Sequence, residues 1–551
     1  GAGNTVNVQM EEDAQALEEV IVTAQGIKRE KKALGYAVTS VGSDQLEGRT
    51  EGDVARVLAG KAAGVQITSA GGASGSATNV TIRGLSSFSG SNQALFIVDG
   101  VPFSNDTNDT GSFIGGNVGS SRFLDIDPNN IASVEVLKGL AAATLYGTQG
   151  KNGVILITTK AGASGGGVKK NEITVSQSFF TNEMASIPDY QNKFGNGFDQ
   201  SFGWFFSNWG PSFERGGTAG WGNQSSIDDA GTLEHPYSTT SVTSTREAFP
   251  ELQGARYDWK PYQSVPAFFK SGFVINTSVN AAGSSDDGKT NYNINLGHLK
   301  DEGFTPGNSL GRVNLSIGGR SQLSNKFTIS GAMNYSRTDY RTPPIASSRG
   351  NGTDGLSVYG NVLFTPRSVD LMGLPFENPV DGSSVYYRNG NDIINPRWTA
   401  KNVTFRQLTN RFFWNAQLTY DINDNLNIGW RTGLDFYNER NVNGSNKGGV
   451  NFNQAIFGFL ETFDNNNSIW EHFFSINGDY DLSEKLGLTF TVGATSRQDN
   501  FDSQGVRSDG QIVFGIKRHF NYSTQTPFQF SQNRNIVGVL GQATLDYNDM
   551  L

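Results

Sequence analysis

The sequence lacks cysteine, has few histidines and contains no long apolar run, and each absence excludes a class of structure. Without cysteine, the 551 residues can form neither a disulfide framework nor a cysteine-ligated zinc site. No run reaches the roughly 18 apolar residues that a transmembrane helix needs. The net charge of −9, with charged residues at 17%, argues against a nucleic-acid partner.

Residue patterns typical of catalysis or cofactor binding are also missing. The four histidines are scattered along the chain, and the glycines at 147–153 lack the context of a dinucleotide site. We therefore expect no enzyme activity, no cofactor and no resident metal. Turns at 286–287 and 464–467 are rich in carboxylates and amides and could hold calcium, although solvated loops are the favoured interpretation.

The chain is rich in glycine (68) and phenylalanine (37), and its most informative part is residues 132–160. There an apolar strand at 134–137, a small-residue helix at 141–146, a glycine-rich turn at 147–153 and a buried strand at 154–157 follow one another. Upstream lie TIRG at 81–84 and FIVDGVP at 96–102. The Asp99-Gly100 pair in the second motif predicts a tight turn with positive φ angles.

In this order, these motifs resemble the plug domain of SusC-like TonB-dependent outer-membrane transporters of the Bacteroidota. The resemblance implies a membrane β protein, an antiparallel outer-membrane β-barrel with an N-terminal α/β plug. Residues 1–33 would hold the end of an N-terminal extension and the TonB box. Residues 34–165 would form the plug, and residues 166–551 the N-terminal portion of the barrel with long extracellular loops. The family barrel has about 22 strands.

The TonB box is expected in the segment EVIVTA at 19–24, just before the plug-like region. Its β-branched residues favour an extended chain, and an unpaired strand edge can pair with a partner. From the residues alone, an ordinary edge strand is the alternative. The resemblance implies that the segment pairs with the inner-membrane energy transducer TonB, through Glu19, Val20, Ile21, Val22, Thr23 and Ala24.

The resemblance also implies two basic residues that lock the plug to the barrel wall. Arg83 of the TIRG motif matches a position where family arginines pair with wall carboxylates, and Lys138 stands at the second basic position. A charge buried inside a barrel needs such a partner. Since lysine lacks the guanidinium fork, the second lock is less well defined.

Beyond residue 167 the sequence alternates with a period of two, as in Phe412, Trp414, Ala416, Leu418 and Tyr420. A soluble β-sandwich gives the same alternation. The segments 411–422, 426–438 and 470–482 predict strands of about a dozen residues, which suits tilted membrane-spanning strands. Aromatic residues near the strand ends are expected in an interfacial girdle or, alternatively, in the core: Tyr340, Tyr437 and Trp470.

Short turns and long connections alternate along this region, which is typical of outer-membrane barrels. Tight turns are predicted at Ser324, Asp424 and Glu484, and long loops around Ser347, Asn451 and Ser508. We count about ten strands. Because a ring of ten strands is too narrow for a plug of this size, we expect the chain to be the N-terminal part of a longer polypeptide.

An aromatic cluster within residues 194–223 is a candidate contact for substrate or for a lid protein. Tryptophan faces stack on sugars and peptides, but a packing cluster that seals the plug against the wall is the favoured alternative. The candidate residues are Trp204, Phe205, Trp209 and Trp221.

The resemblance implies TonB-dependent import of a large nutrient, a glycan or an oligopeptide, across the outer membrane. The implied partners are TonB, a SusD-like surface lipoprotein acting as a lid, outer-membrane lipid and the cargo itself. The alternative is a SusC-like barrel that serves as a structural or accessory component of a surface or secretion assembly. The sequence does not identify the cargo.

Overall fold

A small mixed sheet and a long antiparallel sheet are the two main parts of the computed structural model. It describes residues 20–22, 28–30, 38–46, 52–69, 72–85, 87, 92–104, 119–138, 146–161, 171–345, 356–451, 453–483 and 485–547. Short N-terminal strands β1 (Val20–Val22) and β2 (Lys28–Glu30) precede both sheets and pair with each other.

The small sheet, which we call the plug sheet, has five strands in the order β3-β8-β9-β6-β7. Its pairs are antiparallel except β6 with β9. A separate hairpin pairs β4 with β5. The strands are β3 (Val38–Gly42), β4 (Val65–Ser69), β5 (Thr78–Ile82), β6 (Leu95–Val98), β7 (Val101–Phe103), β8 (Ile131–Leu137) and β9 (Val154–Thr159).

The predicted strands at 134–137 and 154–157 are confirmed as β8 and β9. The helix predicted at 141–146 lies outside the described residues except for Tyr146. Two short helices, Ser43–Leu46 and Val54–Val57, and three 3₁₀ turns, Arg122–Asp125, Pro128–Asn130 and Gly147–Asn152, complete the described plug.

The predicted Asp-Gly turn is confirmed between β6 and β7. Asp99 has φ 46° and Gly100 has φ 83°, the left-handed region that this residue pair tolerates. The Asp99 carboxylate accepts hydrogen bonds from the backbone N–H of Thr159, at 2.8 Å, and from its hydroxyl, at 2.7 Å. The turn is thereby anchored to the end of β9.

The plug has its own apolar core. The β-branched and aromatic residues of its strands meet the short helix at 54–57 there, and Val41, Val80, Phe96 and Ile131 are completely buried. Burying such side chains contributes roughly 1.5–3 kcal/mol each. The core therefore stabilises the plug as a unit, largely through its own residues.

The long sheet, which we call the wall, has ten strands in the order β10-β15-β16-β17-β18-β19-β20-β21-β22-β23, all antiparallel. Its strands are β10 (Glu172–Asn182), β15 (Gly272–Ser284), β16 (Thr290–Glu302), β17 (Ser309–Ser324), β18 (Phe327–Thr342), β19 (Val403–Asn423), β20 (Leu426–Ser445), β21 (Phe459–Ser483), β22 (Leu486–Gln511) and β23 (Tyr522–Tyr547). The count of about ten strands is confirmed.

The connections of the wall carry the remaining elements. Two small hairpins lie between β10 and β15. Their strands are β11 (Gly197–Phe198), β12 (Ser201–Phe202), β13 (Thr232–Glu234) and β14 (Arg256–Asp258). The helices of the connections are Pro236–Thr239, Thr243–Ala248, Ser264–Phe268, Val358–Leu363, Pro396–Asn402 and Asn453–Phe457, with 3₁₀ turns Trp221–Asn223, Pro250–Leu252 and His519–Asn521.

The strands that contain the predicted segments 411–422, 426–438 and 470–482 are longer than the dozen residues predicted. β19 and β20 have 21 and 20 residues, β21 has 25, and β22 and β23 have 26 each. Ser508, which was expected in a long loop, lies within β22. The prediction failed because it followed apolar alternation, and alternation stops where the strands continue.

The outer face of the wall explains why alternation stops. On β22 the outward residues are apolar at Phe490 and Val492, and polar from Gln498 through Asn500 to Gln504. β19 changes in the same way between Phe412 and Asn410. An apolar belt thus covers one part of each long strand, and the strands run on beyond it with polar outer faces.

Short turns and long connections lie at opposite ends of the wall. The turns after Ser324, Asp424 and Ser483 share the end at which β10 begins, and the connections 183–271, 343–402, 446–458 and 512–521 lie at the other. The predicted arrangement holds for these turns. One connection differs, because 303–308 is only six residues long and lies at the long-loop end.

Two of the three expected girdle aromatics face inward. Tyr340 is completely buried and Tyr437 is 3% exposed, whereas Trp470 is 36% exposed and packs edge-on against Trp414 at 5.9 Å. The core alternative therefore applies to the two tyrosines. Within the described residues, no helix is both long and apolar enough to cross a membrane.

Arginine in place of Val492, in the centre of the apolar belt, should lower the free energy of unfolding by about 2–4 kcal/mol. The matched change Gln504→Arg, on the same strand and face but beyond the belt, should cost less than about 1 kcal/mol. Urea titration of the protein folded in lipid micelles measures both. Equal costs at the two positions would contradict the position of the belt.

Candidate functional site at the plug–wall interface

A buried network of charged side chains joins the plug to the wall. From β19, Arg411 donates to Asp435 of β20 through Nε at 2.7 Å and Nη2 at 2.6 Å. The third nitrogen, Nη1, lies 3.3 Å from Asp125 of the plug. From the plug, Arg122 reaches Glu439 of β20 at 3.1 Å. All five side chains are at most 2% exposed, so the ion pairs are shielded from solvent.

A second buried contact lies two strands away from β19, on β17. The Arg312 guanidinium of β17 lies 3.2 Å from the Asp127 carboxylate of the plug, and both side chains are 1% exposed. The amide of Asn314 also donates to Asp127, at 3.2 Å. Arg312 donates further to three plug carbonyl oxygens, those of Gly52, Leu124 and Ile126. One wall side chain thus holds several plug backbone groups.

The network balances three arginines against four carboxylates in a space without room for bulk water. A buried charge costs several kcal/mol unless partners compensate it, so each member depends on the others. Aromatic rings add to the compensation: the Arg411 guanidinium lies over the Phe103 ring, and Arg411 and Arg122 lie 5.5 and 5.6 Å from the Tyr437 ring centre.

Neutral polar contacts extend the same interface. The Gln407 side chain accepts from the backbone N–H of Ser120 at 2.9 Å and from its hydroxyl at 2.7 Å. Asn130 of the plug donates to the Ser316 hydroxyl at 2.8 Å. At Gly433 a Cβ would lie 2.1 Å from the Val101 side chain, so the wall backbone approaches β7 where only glycine fits.

The expected lock residues lie elsewhere. Arg83 follows β5 with φ 60°, is exposed, and makes no ion pair within the described residues. Lys138 donates to the Thr39 hydroxyl at 2.6 Å, inside the plug. The lock role of Arg83 and Lys138 stays a prediction. The charged plug–wall contacts among the described residues come from Arg122 of the plug and from two wall arginines. The sequence signal that could have indicated these contacts is charge at alternate positions. Asp125 and Asp127 alternate in FLDID, and arginines stand on the polar face of wall strands.

The expected TonB-box segment is partly described. Val20–Val22 forms β1 and pairs antiparallel with Lys28–Glu30, so that Val20 faces Glu30 and Val22 faces Lys28. Glu19, Thr23 and Ala24 lie outside the described residues. The described part is extended, as its β-branched composition predicts, and it has a strand partner within the chain.

The four candidate aromatic residues lie in one connection but not in one site. Trp204 and Phe205 line an open cavity of about 800 Å³ that also has Glu234, Arg256 and Arg388 in its wall. The Arg388 guanidinium lies 5.9 Å from the Phe205 ring centre.

The other two candidates lie apart from that cavity. Trp209 is 57% exposed and stands edge-on to Phe198 at 5.1 Å, and Trp221 lies beneath the Arg215 guanidinium at 5.6 Å. Neither lines the cavity beside Trp204. Trp204 itself also packs edge-on against Phe202 and Tyr257, at 5.2 and 5.7 Å, so it takes part in the loop core as well.

Groups that would ligate metal do not come together in the described part of the chain, where no cluster of three or more acidic or histidine side chains occurs. Asp464, in the segment 464–467 that could hold calcium, lies within β21.

In the plug, burial raises the pKa of Glu135 on β8 to about 7, although a hydrogen bond from Ser133 acts in the opposite direction. Burial also raises the pKa of Asp99 to about 6.

Comparison with known proteins identifies relatives of both parts of the chain. Residues 30–154 match the family model described as "TonB-dependent Receptor Plug Domain". TonB-dependent receptor P26 of Formosa agariphila is 27% identical over 419 residues, which are 75% of this chain and 34% of that protein. TonB-dependent receptor SusC of Bacteroides thetaiotaomicron is 33% identical over 161 residues, 29% of this chain and 15% of its own length.

Among solved structures, a chain of the RagAB peptide importer in its open-open state is similar in fold, with a TM-score of 0.73 at 17% identity. The match covers 96% of this chain and 55% of that one.

A further relative by sequence, TonB-dependent receptor P3 of Formosa agariphila, is 24% identical over 99% of this chain and 47% of its own length. The chain thus spans at most about half the length of these curated relatives.

Replacing Asp435 with asparagine should strongly destabilise the plug–wall interface. The substitution keeps the shape but leaves the Arg411 guanidinium without its bidentate partner, and breaking a buried pair costs about 3–5 kcal/mol. The control is Asp339→Asn, which breaks an exposed pair with Arg406 and should cost at most about 1 kcal/mol. Urea unfolding of the receptor in detergent measures both, and similar losses would contradict the argument.

Replacing Glu135 with glutamine should stabilise the protein at high pH and leave it unchanged at low pH. The folded state keeps the Glu135 proton up to pH about 7, whereas the unfolded chain releases it near 4.5. Stability therefore falls as pH rises between these values, by about 3 kcal/mol in total. Glutamine removes this loss. Thermal unfolding at pH 4.5 and pH 8 tests it, and a variant that is no more stable at pH 8 would refute it.

Proposed function

The chain belongs to the SusC-like TonB-dependent transporters, which are outer-membrane β-barrel proteins and not enzymes, and from this premise we propose that it serves TonB-dependent import. In this proposal residues 34–165 act as the plug of the importer. Residues 166–551 supply the N-terminal portion of its barrel wall. The cargo is a nutrient that must pass the plug to enter the cell.

The polar character of the plug–wall interface is the observation that carries this proposal. Apolar contact between the two parts is limited: Leu124 packs among wall residues such as Leu310, and Phe413 packs against the plug core. Ala73 also packs with Ile345, and the Phe103 ring lies edge-on to the Phe413 ring. Ion pairs and hydrogen bonds join the two parts as well, such as Arg411 with Asp125 and Gln407 with Ser120. A polar group that loses its partner can pair with water, so moving the plug exposes less apolar surface than at a purely apolar interface.

Energy for this rearrangement enters, in our proposal, through Val20–Ala24. An extended segment offers backbone N–H and C=O groups to an added strand of TonB. The described part, Val20–Val22, already forms one edge of a two-stranded hairpin with Lys28–Glu30. TonB would either pair with the free edge of β1 or displace β2. Neither route requires a wall strand to change its pairing, because β1 and β2 pair with each other.

A large glycan or an oligopeptide is the proposed cargo, with a SusD-like lipoprotein as the lid. The open cavity beside Trp204 and Phe205 supports cargo binding, because it combines ring faces with the charged groups of Glu234 and Arg388. The exposed Trp209, outside the cavity, is a proposed lid contact. Among the structural relatives, RagAB is described as a peptide importer.

Deleting residues 20–24 should abolish import while surface abundance stays near the parental level. A milder change, Val22→Pro, removes one N–H donor and fixes φ, which costs about 1 kcal/mol per lost hydrogen bond in addition to steric exclusion of the partner strand. The measurement is growth on the cargo, compared with receptor abundance in isolated outer membranes.

The matched control is Lys28→Pro, which disturbs the opposite strand of the hairpin and leaves the proposed TonB box intact. This variant should import at least at the parental rate. If the deletion and Val22→Pro both import normally, the segment is not the coupling peptide. The alternative, a barrel that is a structural component of a surface or secretion assembly, would then be favoured.

A further inference from the structure

The short connection 303–308 is held by the plug. Asn308, which is 2% exposed, accepts a hydrogen bond from the backbone N–H of Ser74 at 2.8 Å and donates to the Ser74 carbonyl at 3.0 Å. Its amide also donates to the Arg341 carbonyl, at 3.2 Å. One side chain thus pairs with both backbone groups of a plug residue, as a neighbouring strand would.

Two further contacts fix the same plug residues. The Ser74 hydroxyl donates to the Asp301 carboxylate of β16 at 2.6 Å. Gly75 has φ 79°, and a Cβ there would lie 2.6 Å from the Tyr340 ring, so the wall closes on the plug backbone. We call residues 72–76 together with Asn308, Asp301 and Tyr340 the clasp.

On one side the clasp connects to the long loops. The Phe304 ring lies 5.9 Å from that of Phe269, which in turn lies 5.7 Å from the Tyr359 ring. The hydroxyls of Thr305 and Tyr359 are 2.8 Å apart. Phe269 belongs to the connection 183–271 and Tyr359 to the connection 343–402. The connection that carries Asn308 is therefore in contact with both long connections.

On the other side, residues 72–76 of the clasp belong to the loop at the tip of the β4–β5 hairpin. The pairing runs from Ser69 with Thr78 at the tip to Val65 with Ile82 at the base, about 13 Å along the strands. At the base, the Arg83 N–H donates to the Gly64 carbonyl at 2.8 Å. The tip of the hairpin therefore contacts the long-loop end of the wall, and the base lies at the far end of the same hairpin.

We propose that Asn308 is a positioning residue that couples the long loops to the plug. Movement of the loops is passed through Asn308 to the tip of the β4–β5 hairpin, and the hairpin carries it to the base at Arg83. The proposal rests on the proposed function for its direction, since loops that receive cargo would be the input and the base of the hairpin the output. The contacts themselves require no cargo.

Hydrogen exchange of the full-length receptor in detergent micelles, without cargo, tests the coupling. In Asn308→Ala the Ser74 backbone groups lose their partner, and we expect amides of residues 65–69 and 78–83 to exchange on the order of tenfold faster. Exchange in β8 and β9 should stay at the parental rate. Asp301→Asn, whose side-chain oxygen still accepts the Ser74 hydroxyl, should leave the hairpin unchanged.

The matched control is Asn425→Ala, the same substitution in a turn at the opposite end of the wall. It should change exchange near Asp479, whose carbonyl Asn425 contacts, and not in the hairpin. Faster exchange confined to residues 72–77, or parental exchange throughout the hairpin, would overturn the coupling. Uniformly faster exchange in the plug would also overturn it, because it indicates general loss of packing.

A second measurement covers the case in which Asn308→Ala does not assemble. Ala73 and Ile345 are buried in one small cluster, and the chain has no cysteine, so Ala73→Cys with Ile345→Cys can be oxidised selectively. The oxidised form should slow exchange in the hairpin through to Arg83, and reduction should restore it. Exchange that is unchanged by oxidation would overturn the proposal. Neither readout depends on import, so failure of the proposed function is seen separately.

Discussion

Burial of opposite charges between plug and wall is the constraint on which the rest of the structure depends. Arg122, Arg312 and Arg411 can be buried only because carboxylates of the other part, or of a neighbouring strand, lie within ion-pair distance. An uncompensated guanidinium at such a site would cost several kcal/mol. The network therefore specifies the position of the plug against the wall.

The two parts are stable for different reasons. The plug has an apolar core of its own, whereas the wall gains its stability from continuous backbone pairing over strands of up to 26 residues and from an apolar outer belt. Beyond the belt the strands continue with polar outer faces, from Gln498 to Gln511 on β22, about 45 Å of strand. These extensions carry the long connections away from the belt. At the clasp, Asn308 at the loop end of the wall contacts Ser74 of the plug.

Local rules identified individual elements of the plug and the apolar part of the wall strands, whereas the plug as a unit was identified by its resemblance to a known family. Asp99-Gly100 predicts a turn because few other residue pairs adopt two positive φ angles easily, and β8 and β9 follow from short runs of β-branched residues. The apolar part of β19 follows from the alternation through Trp414 and Leu418. What the alternation could not give was the length of the strands, since polar residues on both faces remove the signal while backbone hydrogen bonds continue.

The sequence by itself determined the positions of the tight turns and the apolar alternation of the wall, because both depend on residues close in the chain. The class of the fold and the order of plug and wall followed from the resemblance of ordered motifs to a known family. Only the tertiary structure decided which charges meet. Arg411 and Asp125 are 286 residues apart, and no local pattern distinguishes them from Arg83, which ends exposed after β5. A buried ion pair is defined by two faces that meet in space, so its partners are visible only when both faces are in place.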